Sequence, residues 1–552
     1  MEASGTSPVE RLLAAGEREL LPAFLALCGE TATTQEEVLL DILARSASTE
    51  WGRAHGFEGI RSVAEYRERH PVTGWSDFEP LALRMQDGEE DLLFPGRPAI
   101  FLATSATEGE QKLLPESAAG IRAKKATSRL RLASILRTFP GLAREGTVLP
   151  LSNRPETSFT AGGTPIGMAS GSALENFPEA IVGRIAFPLA VLGAGSHASV
   201  DYLVMRLALE RDVHVIVGNN AGRMVSLLEQ ADRRRESLLR EIAEGSIAPD
   251  VPLSPELAAA LPLSPNPDRA AFLAAGIAAS GRLQPRDFWP HLRLVTFWLS
   301  GSVGRYVRDL EPWLPPGVAR MDCGYGATEA KLNVPLGPDG SDGSAGPLAL
   351  HAQLVEFLPV NGGPPRLAHE LEDGASYRLL LTTYSGLYRY DLRDVVRVEG
   401  FTAGCPNIVF ENKAGDVGNL AGERLTASQL LRFAGRVLAE AGVRARHWCA
   451  FPDPDRHSYD FCLEPGTGSL ELPADLPDRL DGALREGSMP YGYYRGQGIL
   501  RPLRVKVMAE GWTERLYAEK QRQGVSINQV KLRVVVPALP HPGMVERVLD
   551  PA

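Results

Sequence analysis

Apolar residues recur every three or four positions in several long segments of the chain, which is the spacing of an amphipathic helix. Residues 35–45 show this pattern, and residues 225–244 continue it up to Gly245, a residue type that commonly ends helices. Residues 426–442 repeat the same spacing, and residues 118–140 also favour a helix. Each of these four segments is therefore predicted to be helical.

Short apolar runs of strand length alternate with such helical stretches. Examples span residues 98–105, 180–193 and 212–218, and residues 292–302 form another run that enters a tight turn. Strand-like runs return at residues 377–401. Strands that alternate with helices predict an α/β domain with at least one largely parallel sheet.

The sequence pattern changes near residues 412–416. A clear helical segment and then alternating strand-like and helical segments follow to the end of the chain. We expect a large N-terminal domain over residues 1–412 and a smaller C-terminal domain over residues 413–552. Residues 336–347 are rich in Gly, Asp and Ser, and we interpret them as an insertion or a hairpin loop within the first domain. We find no internal repeat.

Composition narrows the class of protein. The 552 residues carry a net charge of -10, which argues against nucleic acid or an anionic membrane as the main partner, because both select basic surfaces. No apolar run is long enough to span a membrane, and the start of the chain does not resemble a signal peptide. The five cysteines are scattered, so we expect reduced thiols and a cytoplasmic protein.

The first segment with candidate chemistry spans residues 101–115. An apolar run leads into hydroxyls on Thr104, Ser105 and Thr107, and Lys112 follows with a cation. Hydroxyls and backbone N–H groups can hold a phosphate. The segment does not match the common nucleotide-binding loop, so a phosphate site and a simple surface turn both remain open.

The second candidate is the segment GYGATE at residues 324–329, which follows a strand-like run. Tyr325 could stack on a flat ring, Thr328 could reach a phosphate, and Glu329 could ligate Mg²⁺, which prefers oxygen ligands. The alternative is a strand-end turn that carries an exposed glutamate.

Two acids mark the third candidate, at residues 388–396. Asp391 and Asp394 are both placed to accept hydrogen bonds from ribose hydroxyls. The alternative is a cross-strand ion pair of these acids with Arg389 or Arg393.

A lysine near the C-terminus is the fourth candidate. The chain has 8 lysines among its 58 basic residues, and a lysine that stands where arginine is the rule can have a chemical reason. Lys531 lies between apolar neighbours and would otherwise be an ordinary strand lysine. Motifs of serine hydrolases, zinc peptidases and dinucleotide-binding folds are missing, and we expect His214 and His351 to be structural.

The order of these segments is more specific than any one of them. A hydroxyl-rich loop, the GYGATE segment, YRYDLRDVV and a late lysine resemble the adenylate-forming superfamily. Within it, the chain resembles the Gretchen Hagen 3 (auxin-responsive promoter) family of acyl-acid amido synthetases. The similarity covers nearly the whole chain and includes residues 48–85 and the C-terminal stretch MPYGYYRGQGILRPLRVKVMAEGW.

The resemblance implies a fold and a reaction. The fold would be a large N-terminal adenylate-forming α/β domain with parallel and mixed sheets, joined to a smaller mobile α+β domain. The enzyme would use ATP and Mg²⁺ to adenylate a carboxylic acid, and an amine would then take the acyl group as an amide. Its partners would be small acids and amines, and a monomer is expected.

The resemblance also implies site residues. Lys531 would contact the forming adenylate, and closure of the mobile domain would bring it there. Carried over position by position, the others are Thr104, Ser105, Thr107 and Lys112 at the phosphates, Tyr325 at the adenine, Gly326 among the nucleotide-binding residues, Thr328 with Glu329 at the α-phosphate and Mg²⁺, Glu329 also in catalysis, Asp394 at the ribose, and Lys413 and Arg424 near the hinge and nucleotide.

The chain departs from the family pattern in the phosphate loop. Ala106 stands where a glycine is usual, and Glu108 and Glu110 replace small or basic residues. A glutamate about 4 Å from a phosphate costs roughly 1 kcal/mol in water and several times that when dry. An acyl transfer to a thiol or hydroxyl, and an inactive homologue that binds a small acid or a protein, are the alternatives.

The predicted helix at residues 118–140 would border the acyl pocket if the resemblance holds. Arg129 or Arg131 could then meet a carboxylate there, and a solvated helix face is the alternative.

Overall fold

The computed structural model describes residues 7–104, 112–143, 146–152, 156–169, 179–304, 306–338, 345–466, 472–522 and 532–551. Its chain divides into two compact units. The first consists of Met1–Leu392 with Arg397–Val409, and the second of Arg393–Val396 with Phe410–Ala552. No helix of the described residues is both long and apolar enough to cross a membrane.

Helices and strands alternate along most of the chain. The α-helices are α1 (Pro8–Ala14), α2 (Leu20–Gly29), α3 (Thr31–Ser46), α4 (Glu50–Ala54), α5 (Val63–Arg69), α6 (Trp75–Gln86), α7 (Ala118–Thr138), α8 (Glu179–Val182), α9 (His197–Ala208), α10 (Ala221–Arg233), α11 (Arg235–Glu244), α12 (Pro255–Ala260), α13 (Pro267–Ser280), α14 (Pro285–Phe288), α15 (Gly301–Gly304), α16 (Tyr306–Leu310), α17 (Ala427–Glu440), α18 (Leu476–Gly487), α19 (Met489–Gly496) and α20 (Trp512–Arg522).

The strands are β1 (Ile100–Ala103), β2 (Leu113–Glu116), β3 (Thr147–Leu151), β4 (Glu156–Phe159), β5 (Pro165–Gly167), β6 (Val213–Gly218), β7 (Leu294–Phe297), β8 (Ala319–Asp322), β9 (Gly346–Pro347), β10 (Gln353–Pro359), β11 (Arg366–Leu367), β12 (Ser376–Thr383), β13 (Tyr390–Thr402), β14 (Cys405–Lys413), β15 (Val417–Gly418), β16 (Leu425–Thr426), β17 (Ala445–Asp453), β18 (Ser458–Pro465), β19 (Arg504–Met508) and β20 (Val545–Leu549).

A parallel sheet lies at the centre of the first unit, as the sequence predicts. Its strand order is β3-β6-β7-β8, and each neighbouring pair is parallel. All four residues of β7 are buried, and its neighbours are mostly apolar, which is typical of a sheet covered on both faces. The carboxyl ends of its strands meet at one edge, where β8 leads into the GYGATE segment.

Two mixed or antiparallel sheets complete the strands that bear on the candidate site. One has the order β2-β1-β5-β4, with β1 antiparallel to β2 and parallel to β5. The other has the order β11-β10-β12-β13-β14-β9 and pairs β10 with β12 over seven residues of each strand. The loop predicted at residues 336–347 ends in β9, which pairs with β14.

The second unit has its own sheet and core. The order β17-β18-β19-β20 contains one parallel pair, β18 with β19. Helix α17 starts at Thr426, whose side chain caps the helix together with Gln429, so this predicted helix begins where the sequence places it. Buried residues of α17 and α18 pack in one cluster with strand residues such as Trp448 and Phe461.

Two predicted elements differ from the structure. The helix expected over residues 225–244 is divided at Arg234 into α10 and α11, although Gly245 ends α11 in the left-handed conformation with φ 69°. The apolar run at residues 180–193 forms α8 and a 3-10 helix, Leu189–Gly193, with a single bridge from Ile185 to Val148. Pro188 lies inside that run and cannot donate to a strand ladder, which explains the difference.

Candidate functional site

The exit from β8 is fixed by a buried carboxylate. Asp322 accepts one hydrogen bond from the Gly324 N–H at 2.6 Å and another from the Leu299 N–H at 2.8 Å. Burial raises the pKa of Asp322 to about 6, and the two N–H donors and Arg131 oppose this rise. One side chain thus joins the end of β7 to the start of the GYGATE segment.

The GYGATE segment is a tight hairpin. Gly326 bridges to Lys331, and the Ala327 N–H donates to the Ala330 carbonyl at 2.9 Å. Thr328 and Glu329 therefore lie at the tip, where both side chains are partly exposed. The sequence-based alternative of a strand-end turn is correct as local structure, and it leaves two oxygen-bearing side chains accessible to a ligand.

Tyr325 lies at the base of this hairpin. Its N–H donates to the Asn333 side chain at 2.7 Å, and its carbonyl accepts from the Leu332 N–H at 3.0 Å. The side chain is 6% exposed, so the ring proposed to stack on adenine is largely covered by protein. The Gly326 backbone sits between this buried ring and the exposed tip.

Two cations of helix α7 hold the hairpin by its backbone. Lys124 donates to the Thr328 carbonyl at 2.9 Å and pairs with Glu116. Arg131 donates to the Tyr325 carbonyl at 2.8 Å and to the Asn333 carbonyl at 3.0 Å. These contacts hold the backbone of the hairpin tip from both sides.

Gly324 is required beside Arg131. Its φ is +90°, a conformation that L side chains rarely adopt, and a Cβ there would lie 2.2 Å from the Arg131 guanidinium carbon. The first glycine of the GYGATE segment is therefore explained by backbone geometry and close packing.

The candidate phosphate loop connects β1 to β2. The Thr104 N–H donates to the Lys112 carbonyl at 2.9 Å, and the Lys112 N–H donates to the Thr104 hydroxyl at 3.2 Å. The Lys112 ammonium lies 5.8 Å from the centre of the Trp75 ring, within cation–π range. The rest of the loop falls outside the described residues, including Ser105, Ala106, Thr107, Glu108 and Glu110.

The two strand acids have different partners. Asp391 pairs with Arg378 at 3.3 Å, within the first unit. Asp394, which belongs to the second unit, pairs with Lys413 at 2.8 Å, and its side chain is only 6% exposed. The sequence-based alternative of ion pairs is thus correct in kind. The partners found for the two acids are Arg378 and Lys413, and Arg389 pairs with Glu356.

Arg424 is exposed on a loop of the second unit and has φ +46°. The neighbouring Glu423 is buried and accepts from the Leu420 and Ala421 N–H groups, each at 2.8 Å. Glu423 also accepts from Tyr459, so it fixes the loop that presents Arg424. Lys531 lies outside the described residues.

Both arginines that were considered for an acyl pocket bind backbone. Arg129 donates to the Leu13 carbonyl at 2.8 Å and to the Ala15 carbonyl at 3.1 Å. Arg131 binds the hairpin, as described above. Within the part of the chain that the structure describes, neither guanidinium pairs with a carboxylate, and each joins α7 to a different segment of the first unit.

Lys331 and Ser128 form a contact beside the hairpin that the sequence does not predict. Lys331 is two residues beyond Glu329, and its ammonium donates to the Ser128 hydroxyl on α7. Burial lowers the pKa of Lys331 to about 7, and Arg131 and Lys124 act in the same direction. The scarcity of lysine in the sequence was the only available signal for it.

A second cluster of polar side chains lies where β6 and β7 begin. Ligand atoms of Asp212, His214 and His291 lie within 4.8 Å of one another, although the two histidines are far apart in sequence. His291 and Asp212 hydrogen bond to each other at 2.5 Å. This contact accounts for the cluster without a bound ion.

Comparison with known proteins shows similarity over the whole length. Residues 20–317 match the family model of the GH3 family N-terminal domain. Residues 346–413 match that of the GH3 family central domain, and residues 430–538 match that of the GH3 family C-terminal domain. The first of these alone covers more than half of the chain.

The proteins similar to this chain include enzymes named as synthetases. An indole-3-acetic acid-amido synthetase, GH3.8 of Oryza sativa subsp. indica, is 27% identical over 95% of this chain and 92% of its own. The jasmonoyl–L-amino acid synthetase JAR6 of Nicotiana attenuata is 25% identical over 71% of each chain. The solved AtGH3.15 acyl acid amido synthetase in complex with 2,4-DB matches with a TM-score of 0.85, at 20% identity, over 99% of this chain and 98% of that chain. The chain belongs to the GH3 family.

Proposed function

We propose that this GH3 protein is an ATP-dependent ligase that adenylates a carboxylic acid and transfers the acyl group to an amine. The products would be an amide, AMP and pyrophosphate. The observation that carries this proposal is the match of all three GH3 domains in order along one chain. The relatives named as amido synthetases support an amine as the acceptor.

The hairpin tip suits the first step. The attack of a carboxylate on the α-phosphate brings anions together, and groups that stabilise the developing charge lower the barrier. The Thr328 hydroxyl can donate to a phosphate oxygen. Backbone contacts from Lys124 and Arg131 hold the tip in place before the substrates bind, which favours catalysis because no reorganisation is then needed.

Glu329 fits the requirements of a Mg²⁺ ligand. It is a carboxylate on a partly exposed hairpin tip, and Mg²⁺ usually binds through one or two carboxylates together with substrate phosphates. When bound there, Mg²⁺ would neutralise charge on the phosphates. We propose Glu329 as its ligand from this chain.

The remaining nucleotide contacts are proposals from the family resemblance. Asp394 would accept from the ribose hydroxyls, and Lys413, already paired with it, would hold that carboxylate in place. Thr104 and Lys112 would start and end the phosphate loop, and Arg424 would add a cation. Lys531 would contact the forming adenylate.

Two further properties are part of the proposal. We propose that the protein acts as a monomer and in the cytoplasm. Light scattering of the purified protein would test the first, and localisation of a tagged chain in its host would test the second.

The experiment that tests the function is product analysis with ATP, Mg²⁺, a panel of carboxylic acids and a mixture of amino acids and amines. AMP, pyrophosphate and an amide are the expected products by mass spectrometry. ADP and phosphate would contradict adenylation. A thioester or ester in place of the amide would favour the alternative acceptors.

A further inference from the structure

The face of helix α7 that packs into the first unit is unusually polar. Thr127 and Ser134 are fully buried on it, and Thr127 bonds to the buried His351 at 3.1 Å. The Ser134 hydroxyl and the second ring nitrogen of His351 have no hydrogen-bond partner among the described residues. Buried polar groups are normally paired, so these unpaired atoms need an explanation.

Three cations lie together where this face meets the hairpin. Lys124 is paired with Glu116, and Arg131 donates to two backbone carbonyls. Lys331 donates only to the Ser128 hydroxyl, and no carboxylate of the described residues lies within ion-pair distance of its ammonium. A partly buried ammonium with one neutral acceptor lacks the anion that such groups usually have.

We propose that Lys331 Nζ and Ser128 Oγ bind an anionic group of the acyl substrate that is separate from the carboxylate undergoing activation. The inference rests on the proposed ligase function and names its substrate class. The preferred acids are dicarboxylic acids, or acids with another group that stays negatively charged throughout the reaction.

The separation of the two groups follows from how binding affects rate. The carboxylate that attacks phosphorus loses its charge as the acyl-adenylate forms. A cation that binds this carboxylate strongly stabilises the reactant more than the transition state, and so slows the step. A second carboxylate keeps its charge, so its contact with Lys331 stabilises the reactant and the transition state alike. It therefore favours dicarboxylic acids over other acids without slowing the adenylation step.

The test compares matched acids in ATP-dependent pyrophosphate release. Suberate is compared with octanoate, and terephthalate with 4-methylbenzoate, in the wild type and in Lys331→Met. The wild type is expected to prefer the dicarboxylate of a productive pair by about tenfold or more in kcat/KM, the typical effect of a charge-assisted hydrogen bond. Lys331→Met is expected to lose that preference, and Ser128→Ala to reduce it.

A matched control lies on the same helix. Lys125 is exposed on α7, and Lys125→Met makes the same substitution outside the polar face. Its ratio of kcat/KM values for each acid pair is expected to equal that of the wild type.

The outcomes separate this inference from the ligase function. Turnover of the monocarboxylates with no preference for their dicarboxylate partners, or a preference that survives Lys331→Met, would overturn the inference and leave the ligase intact. Failure of every acid to release pyrophosphate would overturn both.

Discussion

Two clusters of basic side chains in the first unit differ in whether a carboxylate of the described residues pairs with the cation. In one, Arg389 binds both oxygens of Glu356, at 2.8 and 3.0 Å, and donates to the Arg67 and His70 carbonyls. In the other, Ser128 is the single hydrogen-bond partner of the Lys331 ammonium among the residues that the structure describes. We call the first the paired cluster and the second the open cluster.

The difference shows what each cluster does. Glu356 in the paired cluster is 2% exposed and has Arg67 as a further partner at 3.3 Å, so its charges are satisfied within the protein. Such a group contributes to the fold and has no capacity for a ligand. Lys331 of the open cluster keeps some exposed surface, and no carboxylate of the described residues pairs with it, which is the arrangement expected where a substrate supplies the missing charge.

The largest expected effect is on stability and comes from the paired cluster. Glu356→Gln should lower the free energy of unfolding by about 3–5 kcal/mol, because Arg389 would stay buried without its carboxylate. Urea unfolding measures this. The control Glu372→Gln removes an exposed partner of Arg366 and should cost less than about 1 kcal/mol. Equal losses in the two variants would contradict the distinction between a buried and an exposed pair.

Arg131 connects the open cluster to the hairpin, and its loss should affect both stability and catalysis. Arg131→Met removes the guanidinium donor from the Asn333 carbonyl and from the Tyr325 carbonyl, which keeps its hydrogen bond from the Leu332 N–H, at a cost of about 1–3 kcal/mol. Displacement of the tip should reduce acid-dependent pyrophosphate release by about 100-fold. Arg129→Met removes similar contacts from α7 at a different segment and should retain that activity. Similar activities in the two variants would refute the role given to the hairpin.

Lys331 should make the protein less stable near neutral pH than a variant that lacks it. Its ordinary pKa is 10.5 and its folded pKa is about 7, so between these values the unfolded chain holds a proton that the folded chain has lost. The contribution of Lys331 to stability therefore improves as pH rises from 7 to 10.5 and is least favourable below pH 7.

The variant Lys331→Met removes this effect. It should be more stable than the wild type by about 1–3 kcal/mol at pH 6, and the difference should shrink towards pH 10. Urea unfolding across this range measures it. A difference that does not change with pH would show that Lys331 is not desolvated in the folded protein.

The smallest effect concerns the pair of Lys413 and Asp394 in the second unit, which could resemble either the paired cluster or the open cluster. Asp394→Ala should weaken ATP binding by about tenfold through lost ribose contacts and leave acid binding unchanged. Asp391→Ala is the control, because Asp391 pairs with Arg378. Unchanged ATP affinity by calorimetry would place Asp394 with the paired cluster, as a structural acid.

The sequence predicts the elements that rest on local patterns. The parallel sheet, the helix α7 and the position of the GYGATE turn follow from apolar spacing and from Gly324, which lies two residues after β8. The GH3 resemblance, which rests on several weak motifs in one order, is confirmed by the matches to all three GH3 domains.

What the sequence does not predict depends on contacts between distant residues. Arg131 binds backbone carbonyls of residues almost 200 positions away, and carbonyls carry no sequence signal. The division of the helix at Arg234 and the helical turns near Pro188 depend on packing that an apolar pattern does not determine. The role of Lys331 follows from burial and from the absence of a nearby carboxylate among the described residues, which only a structure can reveal.

The most direct test of the account follows the oxygen atoms of the acid. A pool of carboxylic acids labelled with ¹⁸O in the carboxylate is incubated with the enzyme, ATP, Mg²⁺ and amines, and the AMP is examined by mass spectrometry. The account predicts ¹⁸O in the phosphoryl group of AMP, because the carboxylate oxygen stays on phosphorus when the amine takes the acyl group. Amide formation with unlabelled AMP, or with ADP, would contradict adenylation as the reaction of this protein.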